Sequence, residues 1–276
     1  MSMKFWFLAY ACLLSSFFLV YHEWSRIPDG NLHVTMFDVG QGDALLIETP
    51  GNQRILVDGG PNLNLLEKLG DELPYFKREI DLLILSHPDA DHITSLPEVL
   101  RRYDVRKVLM TGVHKDMSRY SAFLDALDES DAEIIIADAN YDIDLGAGAM
   151  LDILWPRENM FGKEVKDTNK SSIVSKLIWK DHEILLTGDI DKKSERELLI
   201  EGEVLTADIL TVPHHGSKTS SSTGFLLAVN PELALISVGR NNRYSHPHRE
   251  VVSRYEGMGI PIRRTDREGE VRLVFD

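Results

Sequence analysis

Cysteine is all but missing from this chain. The one thiol among 276 residues is Cys12, inside an apolar N-terminal run. Beyond that run there is neither a disulfide staple nor a thiolate, so any metal must sit on imidazoles and carboxylates. Basic residues are also in deficit. Lys and Arg number 30 against 44 Asp and Glu, a net charge of −14. A protein of that sign repels nucleic acid at long range, so a polyanionic substrate would need a local basic patch or bound cations. No low-complexity tract and no repeat with a period of roughly 20–50 residues is present, which excludes solenoids and disordered tails.

Long apolar runs are equally scarce, with one exception. The 17 residues from Phe5 to Tyr21 carry no charge, the short end of the roughly 17–25 residues that cross a bilayer. Lys4 precedes the run, and Glu23 and Arg26 nearly cancel after it. That bias puts the N-terminus in the cytoplasm and the main domain outside. A cleaved signal peptide and a buried core helix compete with the anchor. The flank Val20-Tyr21-His22-Glu23-Trp24, however, lacks a small-residue cleavage site. Trp6, Tyr21 and Trp24 suit a membrane interface. The expected organisation is an anchor and tether over 1–30, the tether being Arg26–Gly30, then one folded domain over 31–276. The membrane is thus an expected partner, and no protein partner can be inferred.

Alternating and continuous apolar segments predict strands at His33–Val39, Ala44–Glu48, Arg54–Val57, Ile80–Leu85, Lys107–Thr111, Glu133–Ala137, Met150–Trp155, Ile209–Val212 and Leu233–Val238. A hairpin over Ser172–Trp179 and Glu183–Thr187 turns at Lys180-Asp181. Helices are expected over Leu63–Gly70, Pro97–Tyr103, Ser118–Asp131, Ser194–Ile200, Thr223–Val229 and Glu250–Met258, with a closing strand pair after the last. Strand pairs alternating with single helices imply two sheets with helices outside, a layered α/β sandwich.

The chemistry gathers at strand ends. Ser86-His87-Pro88-Asp89-Ala90-Asp91-His92 follows an apolar strand and holds four potential metal ligands, His87, Asp89, Asp91 and His92. The bland alternative is a solvated turn with Asp89 or Asp91 capping the next helix. Other strands end the same way. Asp58 follows Arg54–Val57, Asp189 follows Leu185-Leu186-Thr187-Gly188, His214-His215 follow Ile209–Val212, and His246-Pro247-His248 lie beyond Leu233–Val238. Ligands of α/β proteins collect outside the carboxyl ends of strands, and this convergence favours a metal site over a set of ordinary loops.

Ser-His-Pro-Asp-Ala-Asp-His resembles the His-x-His-x-Asp-His signature of the metallo-β-lactamase superfamily, with Asp89 in place of the second His. That replacement, with Asp38-Val39-Gly40-Gln41-Gly42-Asp43, Val57-Asp58-Gly59-Gly60, Thr187-Gly188-Asp189, Pro213-His214-His215-Gly216-Ser217 and Tyr244-Ser245-His246-Pro247, is similar to the soluble domain of ComEC-like DNA-internalisation competence proteins. The likeness runs over roughly residues 32 to 275. It implies an αββα sandwich, preceded here by a single transmembrane helix, and two divalent ions, zinc or manganese. His87 and Asp89 would hold the first ion, Asp91, His92 and His215 the second, and Asp189 both. Asp58 would orient the ligand loop. Asp91 and His246 are the expected catalytic residues, His246 as a substrate contact or proton donor, with His215 as another donor candidate.

Two departures stand out. Asn169 occupies a place where many relatives put a metal-binding His, and Thr94-Ser95 replaces two glycines. Asn169, Ser217, Arg240 and Arg243 are the candidate substrate contacts. With one candidate span, the chain is not expected to be a complete DNA-uptake channel. The implied activity is phosphodiester cleavage, with DNA as a candidate substrate. Hydrolysis of a lactone, thioester or β-lactam is the alternative enzyme, and a tethered, non-catalytic metal-containing binding module is the alternative to an enzyme.

Overall fold

The structure, a computed structural model, describes residues 3–24, 29–139 and 141–276. Two seven-stranded sheets face each other. In the first the strand order is 271–275, 32–36, 45–48, 54–57, 82–84, 107–110, 133–136. In the second it is 262–264, 233–236, 209–211, 182–186, 174–179, 150–155, 142–144. Each sheet is antiparallel on one side and parallel on the other.

The pleat explains the layering. Successive strand side chains point to opposite faces, so Leu82 and Ile84 enter the core between the sheets while Leu83 and Leu85 pack outward under helices. In the second sheet Ile184 and Leu186 point inward and Leu185 outward. Both faces of these strands are covered, which is why they read as continuous apolar runs. Helices Asn64–Glu72, Leu96–Arg102 and Ser118–Asp128 cover the first sheet, and Lys192–Glu201, Thr223–Val229 and Arg249–Gly257 the second. The αββα sandwich expected from the sequence is therefore present.

Some local expectations are corrected. The first strand is Leu32–Met36; Phe37 to Val39 already belong to the loop that enters the site. A short helix, Ala90–Ile93, begins two residues after Pro88, so Asp91 and His92 are helical. Asp89 holds its N-cap position without a side-chain capping bond, which removes the capping explanation for that carboxylate. The closing strands do not pair with each other. Ile262–Arg264 runs parallel to Leu233–Ile236, whereas Val271–Phe275 crosses to pair antiparallel with Leu32–Met36. A short helix, Thr265–Glu268, and Gly269 at φ +76° turn the chain between the two sheets.

Near the N-terminus, Met3–Trp24 forms one helix of 22 residues. Its Lys4–Trp24 portion is long and apolar enough to cross a membrane, and none of it is buried. Residues 26–28, most of the expected tether, lie outside the described residues.

Candidate metal centre

The parallel strands of both sheets end toward one cleft, of about 190 Å³, lined by Gln41, Asp89, Asp91, Asn169, Asp189, His214, His215, Tyr244 and His246. Asp189 is its centre. Gly188, at φ +50° with Ser172 and Ser86 close to where a Cβ would stand, turns the chain sharply at the strand tip. Asp189 is buried, and its Oδ2 lies 3.5 Å from His92 Nε2, 3.7 Å from His215 Nε2 and 4.0 Å from His87 Nε2. Asp91 Oδ2 is 3.6 Å from His215 Nε2, and Asp89 Oδ2 is 3.8 Å from His87 Nε2.

These spacings suit atoms that share cations. Two donors each about 2.1 Å from one tetrahedral ion stand about 3.4 Å apart. Among the described residues, the buried Nε2 atoms of His87, His92 and His215, and Asp189 Oδ1, have no hydrogen-bond partner. Leaving such atoms unpaired costs about 1–3 kcal/mol each unless something fills the role. Asp91, His92, Asp189 and His215 bring their ligand atoms within 4.8 Å of one another. The residues present therefore fit divalent metal.

Outer contacts set the tautomers. Asp58, held at φ +61°, accepts from Ser86 N–H at 2.8 Å, Ser86 Oγ–H at 2.6 Å and His92 Nδ1–H at 2.8 Å. Both oxygens of its carboxylate are thereby engaged. Although Asp43, Asp58 and His92 also cluster within 4.8 Å, that group is the support of the site rather than a second cradle. His215 Nδ1 lies 3.0 Å from the Ser237 carbonyl and 3.2 Å from Asp43 Oδ1. Both imidazoles keep Nε2 free to face the cleft. Backbone strain helps aim them, since His214 and His215 both adopt left-handed φ values, 54° and 53°, sparsely populated for non-glycine residues. Gly42 permits the closest loop approach: a Cβ there would stand 2.1 Å from the Asp91 carbonyl oxygen. In place of two glycines, Ser95 Oγ–H donates to the Gly59 carbonyl at 2.6 Å and Thr94 Oγ1–H to that of Ala90 at 2.6 Å. The hydroxyls are absorbed locally and the chemistry is untouched.

Electrostatics follow from burial and opposed charges. Burial lowers the His87 pKa, so that ring is neutral and ready to donate a lone pair. Burial also pulls on His92 and His215, but the Asp189 carboxylate outweighs it and raises both well above the ordinary range, helped by Asp58 at His92 and by Asp43 at His215. The reverse holds for Asp189, where burial opposes ionisation and the His215 and His92 charges prevail, lowering its pKa. His246 falls to about 4, through burial and then repulsion by His215, His214 and His248. It is neutral near pH 7. It lines the cleft in that form, as a neutral hydrogen-bonding ring, whereas His215 has its Nε2 among the ligand atoms.

The remaining candidates divide. Asn169 lines the cleft and its Nδ2–H donates to His214 Nδ1 at 3.3 Å, so His214 presents Nε2–H to the cleft, 3.7 Å from Asp189 Oδ2. Arg243 stands at the rim, its guanidinium 4.8 Å from the Tyr244 ring centroid. Arg240 is exposed, donates to the Asp266 carbonyl and does not line the cleft. Ser217 is corrected. It is buried and its hydroxyl is engaged with Thr219 Oγ1 at 2.9 Å. The rest of the hydroxyl-rich loop Ser217–Ser222 is structural too: Ser220 Oγ–H donates to Pro213 and Ser217 carbonyls, and the Ser221 and Ser222 N–H groups donate to the buried Glu195 carboxylate.

Sequence reasoning missed Lys115, whose ammonium is 2.5 Å from Asp89 Oδ1 and 2.9 Å from Thr168 Oγ1. Thr168 Oγ1–H also donates to Asp89. Asp89 is thus gripped through Oδ1 while Oδ2 faces His87. The signal available was that Lys115 follows the Lys107–Met110 strand, which ends toward the same cleft.

Comparison with known proteins agrees with this geometry. The chain is 30% identical over 275 residues to the competence protein ComA of Neisseria gonorrhoeae, covering 96% of this chain and 35% of that protein. It is 29% identical over 262 residues to the ComE operon protein 3 of Bacillus subtilis, covering 88% of this chain and 33% of that one. The chain thus spans about a third of the length of these relatives. The metallo-beta-lactamase fold protein YhfI of Bacillus subtilis has the same fold, with a TM-score of 0.58 at 12% identity over 88% of this chain and 99% of YhfI. Residues 37–240 match the family described as the metallo-beta-lactamase superfamily, whose members are generally metal-dependent hydrolases, and the chain belongs to that superfamily.

Proposed function

We propose that the chain is a two-ion phosphodiesterase that cleaves DNA, anchored in the membrane with its hydrolase domain, residues 31–276, on the extracytoplasmic side. The observation that carries this reading is the convergence of four unpartnered buried ligand atoms on an open cleft that also holds Asp89 and Asp91. His87, Asp89 and Asp189 would hold one ion, and Asp91, His92, Asp189 and His215 the other. Two hard carboxylates beside the histidines suit manganese as well as zinc. When bound, divalent ions supply Lewis acidity and make water nucleophilic near neutral pH.

The chain's own residues do the rest. Asp189, shared between the two ligand groups, fixes their separation, and Asp58 and Ser237 hold the imidazoles in register. His214 Nε2–H and the neutral His246 ring are placed to hydrogen-bond a phosphoryl or leaving oxygen. Lys115 and Arg243 put positive charge beside the cleft of a protein whose net charge is −14. The competence relatives direct the choice of diester to DNA. Outside orientation rests on Lys4 preceding the apolar helix.

The test is hydrolysis of single-stranded DNA and of bis-p-nitrophenyl phosphate by purified protein with manganese or zinc, alongside elemental analysis. Metal-dependent cleavage that stops with a chelator is the expected result. Intact diesters beside a cleaved lactone or thioester would overturn the reading.

A further inference from the structure

Lys115 also lines a second cavity, of about 380 Å³, formed with Tyr120, Leu124, Ile134, Ile136 and Phe161. That volume falls within the roughly 300–1,000 Å³ of small-molecule pockets. Its outer wall is built with care. Gly162 N–H donates to the Gly112 carbonyl at 2.8 Å and His114 N–H to that of Lys163 at 2.9 Å, clipping the Phe161 segment onto the loop that carries Lys115. Gly112, at φ +67°, lets the Phe161 ring lie flush, for a Cβ there would stand 2.7 Å from the ring. Yet Phe161 remains 68% exposed. The ring is fixed in place while much of it stays open to solvent, an arrangement that the packing of the domain does not require.

We propose that this cavity binds the nucleobase next to the scissile phosphodiester, with Phe161 as the stacking face and Lys115 at the mouth, against the phosphate. The inference rests on the phosphodiesterase reading above. Three features select this occupant. The cavity adjoins the cleft through one contact: Lys115, which lines the cavity, pairs with Asp89, which lines the cleft. Lys115 is a cation beside a carboxylate-rich centre, complementary to a phosphate that must pass it. The lining is mostly apolar, suited to the π-face that every base presents rather than to reading one base by its edge. Phe161 is therefore a sequence-tolerant substrate-binding residue.

The test uses the full chain and a phosphorothioate dinucleotide carrying 2-aminopurine, whose fluorescence falls on stacking. Wild type is expected to quench the probe. Phe161→Ala should abolish the quench and weaken binding about 5- to 150-fold, while Phe161→Tyr restores both; circular dichroism verifies folding of each variant. In parallel, wild type should prefer an intact oligodeoxynucleotide over one with a single abasic residue, and Phe161→Ala should erase that preference. Equal cleavage of the two by wild type, or an unaltered quench in Phe161→Ala, overturns the subsite and leaves the phosphodiesterase reading standing. Cleavage of neither by wild type overturns both.

Discussion

Replacing Asp58 by Asn tests whether the outer contacts of the centre determine its affinity for metal. The substitution is nearly isosteric, and the site offers the amide only donors: Ser86 N–H at Oδ1, and Ser86 Oγ–H and His92 Nδ1–H at Oδ2. Either amide orientation creates a conflict. With its NH₂ toward His92, the ring must shift its proton to Nε2, the atom that faces the ions. With its NH₂ toward Ser86, two backbone and side-chain donors oppose each other in a buried space. One unsatisfied buried donor costs about 1–3 kcal/mol. If the cost falls on His92 it emerges as metal affinity, and loss of such an outer partner typically costs about 10- to 100-fold, or about 1.4–2.7 kcal/mol. If it falls on Ser86 it emerges as stability of the metal-free protein. Competition with a chromophoric chelator reads the first and urea unfolding after chelation reads the second. Affinity within twofold of wild type together with an unchanged unfolding midpoint would refute the role given to Asp58.

Two further outcomes follow from the same geometry. Asp189→Ala should leave the circular dichroism spectrum intact and lower metal content from about two ions per chain to one or none, with loss of hydrolysis; unchanged stoichiometry by elemental analysis would remove Asp189 as the shared ligand. Metal affinity should rise with pH, because His92 and His215 have raised pKa values in the metal-free site and an incoming ion must displace their protons. The same protons stabilise the metal-free fold: that contribution is complete below the unfolded imidazole value, about 6.5, and is lost as pH rises through the elevated folded values. Calorimetry in buffers of different ionisation enthalpy measures proton release on binding, and none at pH 7 would contradict the assignment.

What the sequence disclosed and what it hid divide along a physical line. Leu82 to Leu85 announce a strand buried on both faces because adjacent residues suffice to show it. Asp58, Asp189 and His215 were legible because each lies within four residues of the end of such a strand, so strand direction carries them to a common edge. Partners distant in sequence were not legible. Lys115 meets Asp89 across 26 positions, and only its place after the Lys107–Met110 strand sets it apart from a solvated lysine. Ser217 to Ser222 has the composition of a flexible polar turn, but the buried Glu195, on another helix, collects its N–H groups. The last two strands show the same limit, since periodicity reveals a strand but not its neighbour. His246 goes one step further. Its place in the cleft was anticipated, but its charge state was not, because the pKa of about 4 is set by three other histidines and by burial, which exist only after folding. Motif spacing therefore identifies which atoms can reach an ion, whereas the protonation that decides what each of them does is a property of the assembled cleft.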